Sequence, residues 1–360
     1  MNKQTDVGIV GAGPSGAIAA ALLRQYGYQV TIVERQHFPR FSIGESLLPQ
    51  CMEFIEQAGM LEAVKDADFQ YKNGAAFVRR GEHADFDFRK KFSEGPGTTF
   101  QVQRANFDKI LADEAEKAGA EIHYGHTLLA LSYDADDNPV LEIEDEQGEN
   151  WSLNCKYVLD ASGFGRVLPR LLDMESPSHL PVRTSVFTHI EDNISSPIHD
   201  RNKILIAIHP ERADVWYWLI PFSNGRSSVG VVAEDDFFEV DDDNEQRLKK
   251  AIRDCPDLSQ ILNGSKFDTP VNTLTGYSCN VTSLWGNKFA LLGNAGEFLD
   301  PVFSSGVTIA MKSASLIAPL IDRHLRGETV DWEEDYSKPL KAGVNTFRTY
   351  VDAWYDTSSS

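Results

Sequence analysis

Residues 7–35 read VGIVGAGPSGAIAAALLRQYGYQVTIVER. The segment is a short apolar strand, a Gly11-x-Gly13-x-x-Gly16 turn, a helix, a second strand and an acid at Glu34. A parallel βαβ unit seats a dinucleotide with this pattern. Gly11 makes the tight turn, Gly13 lets the backbone approach the pyrophosphate, and Gly16 lets the helix pack on the strand. Pro14 and Ser15 begin the helix, whose free N–H groups and positive dipole end suit phosphate. Glu34 lies about 20 residues downstream, where a carboxylate accepts from ribose hydroxyls. Arg35 follows it. The chain is therefore an α/β protein that carries a dinucleotide near its beginning.

At 360 residues the chain suits one large domain or two interleaved ones. Its 54 acidic against 34 basic side chains give a formal charge of −20, which disfavours nucleic acid and anionic membrane as partners. Cys51, Cys155, Cys255 and Cys279 are scattered with no C-x-x-C. That usage suits reduced thiols, with neither a disulfide frame nor a metal site. No apolar run approaches the roughly 20 residues that span a bilayer. A cytoplasmic enzyme is the expectation.

The patterning then alternates between helix and strand. A loop over 36–49 precedes a helical stretch over 51–64, and GAAFVRR with HADFDFRKK suits a hairpin. NFDKILADEAEKAG has helical spacing and a Gly stop. VLEIEDEQG and ENWSLNCKYVLDASG suggest a meander feeding 157–160 into the main sheet. Residues 167–280 are strand-rich, broken by an acidic helical stretch near 241–254, and a strand, loop and long apolar helix follow. We therefore expect a Rossmann-like dinucleotide-binding domain over 1–73, 100–166 and 282–328. An antiparallel β-sheet substrate domain over 74–99 and 167–281 interrupts it, and a helical segment over 329–360 ends in a polar tail, Ser358 to Ser360.

Three further segments favour a flavin over a nicotinamide. KYVLDASGFGR places Asp160 and Gly163 at the end of a buried strand. LLGNAGEFLDPVFSSG places Gly293, Asp300 and Pro301 before a helix, where a carboxylate can accept from a ribityl hydroxyl and the N–H groups at Ser305 and Gly306 can face the flavin edge. Arg104 stands just ahead of a helix.

As a set, GxGPSG, VLDASG and the DPVFSSG loop resemble the FAD-dependent monooxygenase superfamily of the para-hydroxybenzoate hydroxylase type, over about residues 5–325. Gly44-Glu45-Ser46-Leu47-Leu48-Pro49 resembles the GES loop of flavin-dependent halogenases, and Trp216-x-Trp218-x-Ile220-Pro221 matches their W-x-W-x-I-P signature. Lys72, in an aromatic-Lys-x-Gly-Ala context, stands where that family carries an essential lysine.

The resemblance implies an enzyme that takes reduced FAD from a separate flavin reductase and uses O2 and a halide ion. Hypohalous acid so formed reaches the Lys72 ammonium, which hydrogen-bonds it or becomes a haloamine. Electrophilic halogen then passes to an electron-rich ring. Ser305 and Gly306 are the implied halide site, and the ammonium is expected to face a passage leading from the flavin beyond Trp216 and Trp218. A solvated loop lysine and ordinary aromatic core packing are the plain alternatives for these side chains.

The chain departs from tryptophan halogenases in lacking their long C-terminal region and a confident counterpart of their second acid, Glu297 being the nearest candidate. A phenol or pyrrole, free or on an acyl or peptidyl carrier protein, is therefore expected over indole. Arg79-Arg80 and Arg89-Lys90-Lys91 could meet an acidic carrier or simply form a solvated hairpin face. The competing functions are an aromatic hydroxylase, an isoprenoid-reductase-like flavoenzyme and a non-catalytic flavin sensor.

Overall fold

The computed structural model describes residues 2–178, 180–195, 197 and 199–357. The expected polar tail, Ser358 to Ser360, lies outside them. Val7–Val10 is the buried centre of a six-stranded sheet. It pairs in parallel with Val30–Glu34 on one side and Tyr157–Asp160 on the other, and Glu121–Tyr124 and Phe289–Leu291 extend the parallel run. Strands covered on both faces read as continuous apolar runs, as VGIV and YVLD do. Pro14–Gln25 crosses over one face, with Pro in its first turn and ten buried residues, and packs on the long helix Ser305–Leu325.

Two glycines make that crossover possible. Gly11 has φ +101°, which an L side chain rarely adopts. At Gly16 a Cβ would lie 2.0 Å from the Gly11 carbonyl oxygen, so helix and turn approach closely only because neither carries a side chain there.

The expected meander is a separate four-stranded sheet of 127–133, 139–144, 150–154 and the N-terminal 2–4, the last pairing in parallel. The helical stretch after residue 51 is two helices, Cys51–Gln57 and Leu61–Lys65, and the acidic stretch is Asn244–Arg253 with an Asp243/Gln246 capping box. The C-terminal segment begins with a π-helical turn at Glu333–Ser337 and continues as Lys338–Thr357.

The second large sheet has seven strands in the order 272–275, 184–191, 226–233, 216–221, 203–208, 74–79, 82–87. It is antiparallel with one exception that corrects the expectation: Lys203–Ile208 runs parallel to Gly74–Arg79. The hairpin arrives from early in the chain and docks on an edge left by a later segment, so no turn dictates its direction. Strand alternation divides Trp216–Pro221 between two cores. Tyr217 and Leu219 pack toward the helices 244–253 and 256–261, whereas Trp216, Trp218 and Ile220 belong to the opposite face.

Candidate functional site

A cavity of about 380 Å³ runs between the two large sheets. Of the residues expected to form the site, Gly11, Gly13, Pro14, Ser15, Glu34, Arg35, Gly44, Glu45, Ser46, Arg104, Gly163, Trp216, Trp218, Pro301 and Gly306 line it. Gly16, Lys72, Asp160, Gly293, Asp300 and Ser305 are not among its lining residues. The sequence motifs thus converge from six separate stretches of chain on one space.

At the glycine turn the Glu34 carboxylate accepts from the Ala12 and Gln36 N–H groups, both at 2.8 Å. Those bonds hold the acid at the strand end while it still faces the cavity. Asp160 is used differently. Its oxygens accept from the N–H groups of Ser162 (2.9 Å) and Leu168 (2.7 Å), and burial raises its carboxyl above the usual carboxylate range. It shapes the turn that brings Gly163 to the cavity.

Arg104 is a buried lock. Its guanidinium makes a two-pronged contact with Asp108 (2.6 and 2.9 Å) and donates to the Ile43 carbonyl at 2.5 Å. One side chain therefore ties the helix Arg104–Lys117 to the start of the GES loop. Arg40 joins from the loop, 3.5 Å from Asp108. Glu45 is buried and bonded to His189 at 2.6 Å, so the loop is also tied to the strand Thr184–Glu191.

Trp216 and Trp218 share a face as expected, with ring centroids 6.1 Å apart. Each indole N–H is satisfied, Trp218 by Ser228 at 3.0 Å and Trp216 by the Tyr355 hydroxyl at 2.9 Å. Trp218 lies against Gly230, where a Cβ would meet the indole at 2.4 Å. Tyr355 in turn donates to Asp300 at 3.1 Å, and Asp300 also accepts from Val302 N–H at 3.0 Å. Both Asp300 oxygens are thus engaged by the protein, and burial pushes its carboxyl up to about 6. Beyond Pro301, Ser304 is left-handed at φ 56° and starts the 21-residue helix Ser305–Leu325. The first N–H groups of a helix have no intrahelical partner. Gly306 brings that end to the cavity, with Ser305 buried beside it.

Lys72 is 1 % exposed, which removes the solvated-loop alternative. It ends the strand Gln70–Lys72, paired with Thr99–Gln101. Its Nζ donates to the Leu47 carbonyl at 2.7 Å and sits 5.3 Å from the Phe88 ring centroid. It is not among the residues that line the cavity. Ser46, which does line the cavity, is the neighbour of the residue it bonds. Burial lowers the ammonium to about 7, opposed only weakly by the nearby Cys51 thiol.

A lowered lysine has a stability consequence. Between about 7 and the unfolded value near 10.4 the unfolded chain binds more protons, so stability rises with pH across that window. Below it both states are charged and the burial penalty is fully present. Lys72→Met should therefore raise the melting temperature at pH 6 by roughly 2 °C or more, with the gain shrinking toward pH 10. Thermal melts of both proteins at the two pH values check this, and a pH-independent difference would contradict the burial-lowered ammonium.

Asp108, Arg40, His189 and Thr99 were not singled out by sequence. Asp108 had a legible signal, since it stands four residues after Arg104 on a helix. His189 had none, because its partner Glu45 is 144 residues away.

A family model described as FAD binding domain matches residues 4–338. Tryptophan 2-halogenase of Chondromyces crocatus is 31% identical over 91% of this chain, and the chain spans 63% of that enzyme's length. The 1H-pyrrole-2-carbonyl-[peptidyl-carrier protein] chlorinase of Pseudomonas fluorescens is 25% identical over 97% of this chain and 83% of its own. Among solved structures, a flavoprotein/dehydrogenase from Cytophaga hutchinsonii is 43% identical with a TM-score of 0.93, covering 98% of this chain and 86% of that one. The myxobacterial chondrochloren halogenase CndH, a variant of FAD-dependent halogenases, is 27% identical with a TM-score of 0.88, covering 98% and 83%. Among the described residues no helix is long and apolar enough to cross a membrane, and no cluster of His, Cys, Asp or Glu could hold a metal ion.

Proposed function

We propose that this chain, which belongs to the FAD-binding domain family and whose relatives include flavin-dependent halogenases, halogenates an electron-rich aromatic ring. The cradle fits FAD. Two glycines leave room at the turn that a Cβ would fill, Glu34 faces the ribose end, and the cavity continues to the two indoles. Gly11, Gly13, Pro14, Ser15 and Gly16 would form the phosphate turn. Arg104 and Gly44 to Ser46 would border the ring, and the helix end at Ser305 and Gly306 would offer N–H groups to the ring edge and to halide.

Reduced FAD, supplied by a separate reductase, would together with O2 oxidise halide to hypohalous acid. The chain's own residues account for the rest. Trp216 and Trp218 wall the cavity with apolar surface that excludes substrate from the flavin. At Lys72 the neutral amine takes the halogen: an N–X bond forms as the O–X bond breaks, and hydroxide leaves with one amine proton as water. The ring carbon then attacks the halogen, the nitrogen keeps the N–X electron pair, and the ring proton restores the amine.

The single observation that carries this reading is a fully buried lysine whose Nζ donates to the carbonyl of Leu47, the neighbour of the cavity-lining Ser46. Desolvation makes such an amine a nucleophile near neutral pH. A phenol or pyrrole, free or on a carrier protein, is the proposed substrate class. That proposal draws on the peptidyl-carrier chlorinase among the relatives.

Mass spectrometry of a phenol and pyrrole panel, free and carrier-loaded, tests it, with chloride or bromide and an external source of reduced FAD. A halogenated product is expected. The Cytophaga flavoprotein named as a dehydrogenase favours a second reading, oxidation or reduction of the substrate without halogen. A halogen-free oxidised, reduced or hydroxylated product in the same panel would establish that class instead.

A further inference from the structure

Lys72 stands on a two-stranded ribbon, bridged by the GES loop, rather than on a loop. Gln70–Lys72 pairs antiparallel with Thr99–Gln101, in the register Lys72 to Thr99 and Gln70 to Gln101. The GES loop joins the other edge through the antiparallel bridge Ser46 to Gln101, with Leu47 N–H on Phe100 O (3.1 Å) and Val102 N–H on Glu45 O (2.7 Å). Directly opposed residues of antiparallel strands project to one face, and alternate residues share it. Ser46, Lys72, Thr99 and Gln101 therefore crowd a single face, each at least nine-tenths buried.

The hydrogen bonds on that face do not close. Ser46 Oγ, Thr99 Oγ1 and Gln101 Oε1 are buried without partners. The Gln101 amide is fixed by its Nε2, which donates to Arg201 O and Pro221 O, both at 3.0 Å. The Lys72 ammonium makes one hydrogen bond of the three it can donate. Spare donors thus face spare acceptors that they do not reach. Buried polar groups in folded proteins are normally satisfied, so this mismatch calls for a small species able to both donate and accept.

We propose that Ser46, Thr99 and Gln101 form with Lys72 a receptor for a small neutral oxyacid, which enters from the flavin cavity past Ser46. In the function proposed above, on which this rests, the oxyacid is hypohalous acid. Its O–H donates to Gln101 or a hydroxyl, its oxygen accepts from Thr99 or Ser46, and the halogen is left toward the Lys72 nitrogen. The titratable group acting on Lys72 from the helix packed nearby is the Cys51 thiol, which bonds Thr308 at 3.2 Å.

Two readouts on Thr99→Val, Ser46→Ala and the conservative Thr99→Ser test this. The first needs no flavin: competitive acetylation of the 70–80 peptide across pH in the apoprotein gives the Lys72 midpoint. Loss of either hydroxyl removes an acceptor that water can bridge to the ammonium, so it is expected to move the midpoint down by about half a pH unit or more, and Thr99→Ser to restore it. The second partitions oxidant with reduced FAD, O2 and bromide present. Thr99→Val should release hypobromous acid, captured by taurine, at the expense of brominated product.

An unchanged midpoint with an unchanged partition overturns the receptor. A shifted midpoint with an unchanged partition means the face holds water only and also overturns it. Wild-type protein that yields neither brominated product nor captured oxidant refutes the proposed function instead, and the midpoint still reports whether the hydroxyls solvate Lys72.

Discussion

Under the function proposed above, Lys72→Ala is expected to lower halogenated product by about 10²-fold or more, while FAD binding and O2 consumption persist. Loss of a positioned proton- or group-transfer side chain in a dry site has effects of that size. Selectivity is expected because Lys72 is not among the residues that line the cavity where flavin would sit. The fold should tolerate the change, since deleting a buried charge relieves a desolvation penalty and leaves only the Leu47 carbonyl without its donor. Lys72→Met, which keeps most of the volume, separates lost chemistry from a cavity effect, and Lys72→Arg asks whether charge alone suffices. Product assays run beside flavin titration and an oxygen electrode measure all of this. Product formation at wild-type rate in Lys72→Ala would end the case for halogen delivery through this residue.

The second large effect concerns Asp108. With its carboxylate removed, the buried Arg104 guanidinium would lose its bidentate partner and keep only its carbonyl contacts and the field of Glu45, which is already bonded to His189. Breaking one partner out of a buried pair costs about 3–5 kcal/mol. Asp108→Ala should therefore drop the melting temperature by roughly 10 °C. Because the same guanidinium holds the Ile43 carbonyl and lines the cavity, FAD affinity should fall with it, by tenfold or more. One turn along that helix, Lys109 and Asp113 form an exposed pair at 2.5 Å. Lys109→Ala should cost only about 0.3–0.5 kcal/mol and leave flavin binding alone. Equal effects of the two substitutions in melting and flavin titrations would refute the view of Arg104 as a lock between helix and loop.

Those two residues also mark where the sequence stops being legible. The dinucleotide turn is written locally: strand, three glycines, helix and acid lie within 29 residues, and each is specified by chemistry its neighbours share. The face shared by Trp216 and Trp218 is equally local, because period two needs no partner to define it. The break in the helix after residue 57 is marked locally by Gly59 at φ +76°, but the parallel docking of Gly74–Arg79 on Lys203–Ile208 had no such local signature. The acids show the difference most plainly. Glu34 and Asp160 both end buried strands of the same sheet, and sequence gave them similar roles. Yet, although each accepts from two backbone N–H groups, only Glu34 also lines the cavity.

What the chain alone determined was most of the strands and helices, the cofactor class they suit, and which side chains to propose for the chemistry. Only tertiary structure decided that Lys72 is dry, that three unpaired acceptors share its face, and that Asp300 is spoken for by Val302 and Tyr355. The reason is physical. Periodicity follows from backbone geometry within a few residues, whereas desolvation and hydrogen-bond partnership depend on groups brought together from positions 46, 72, 99 and 101, and no local pattern records how those strands will meet.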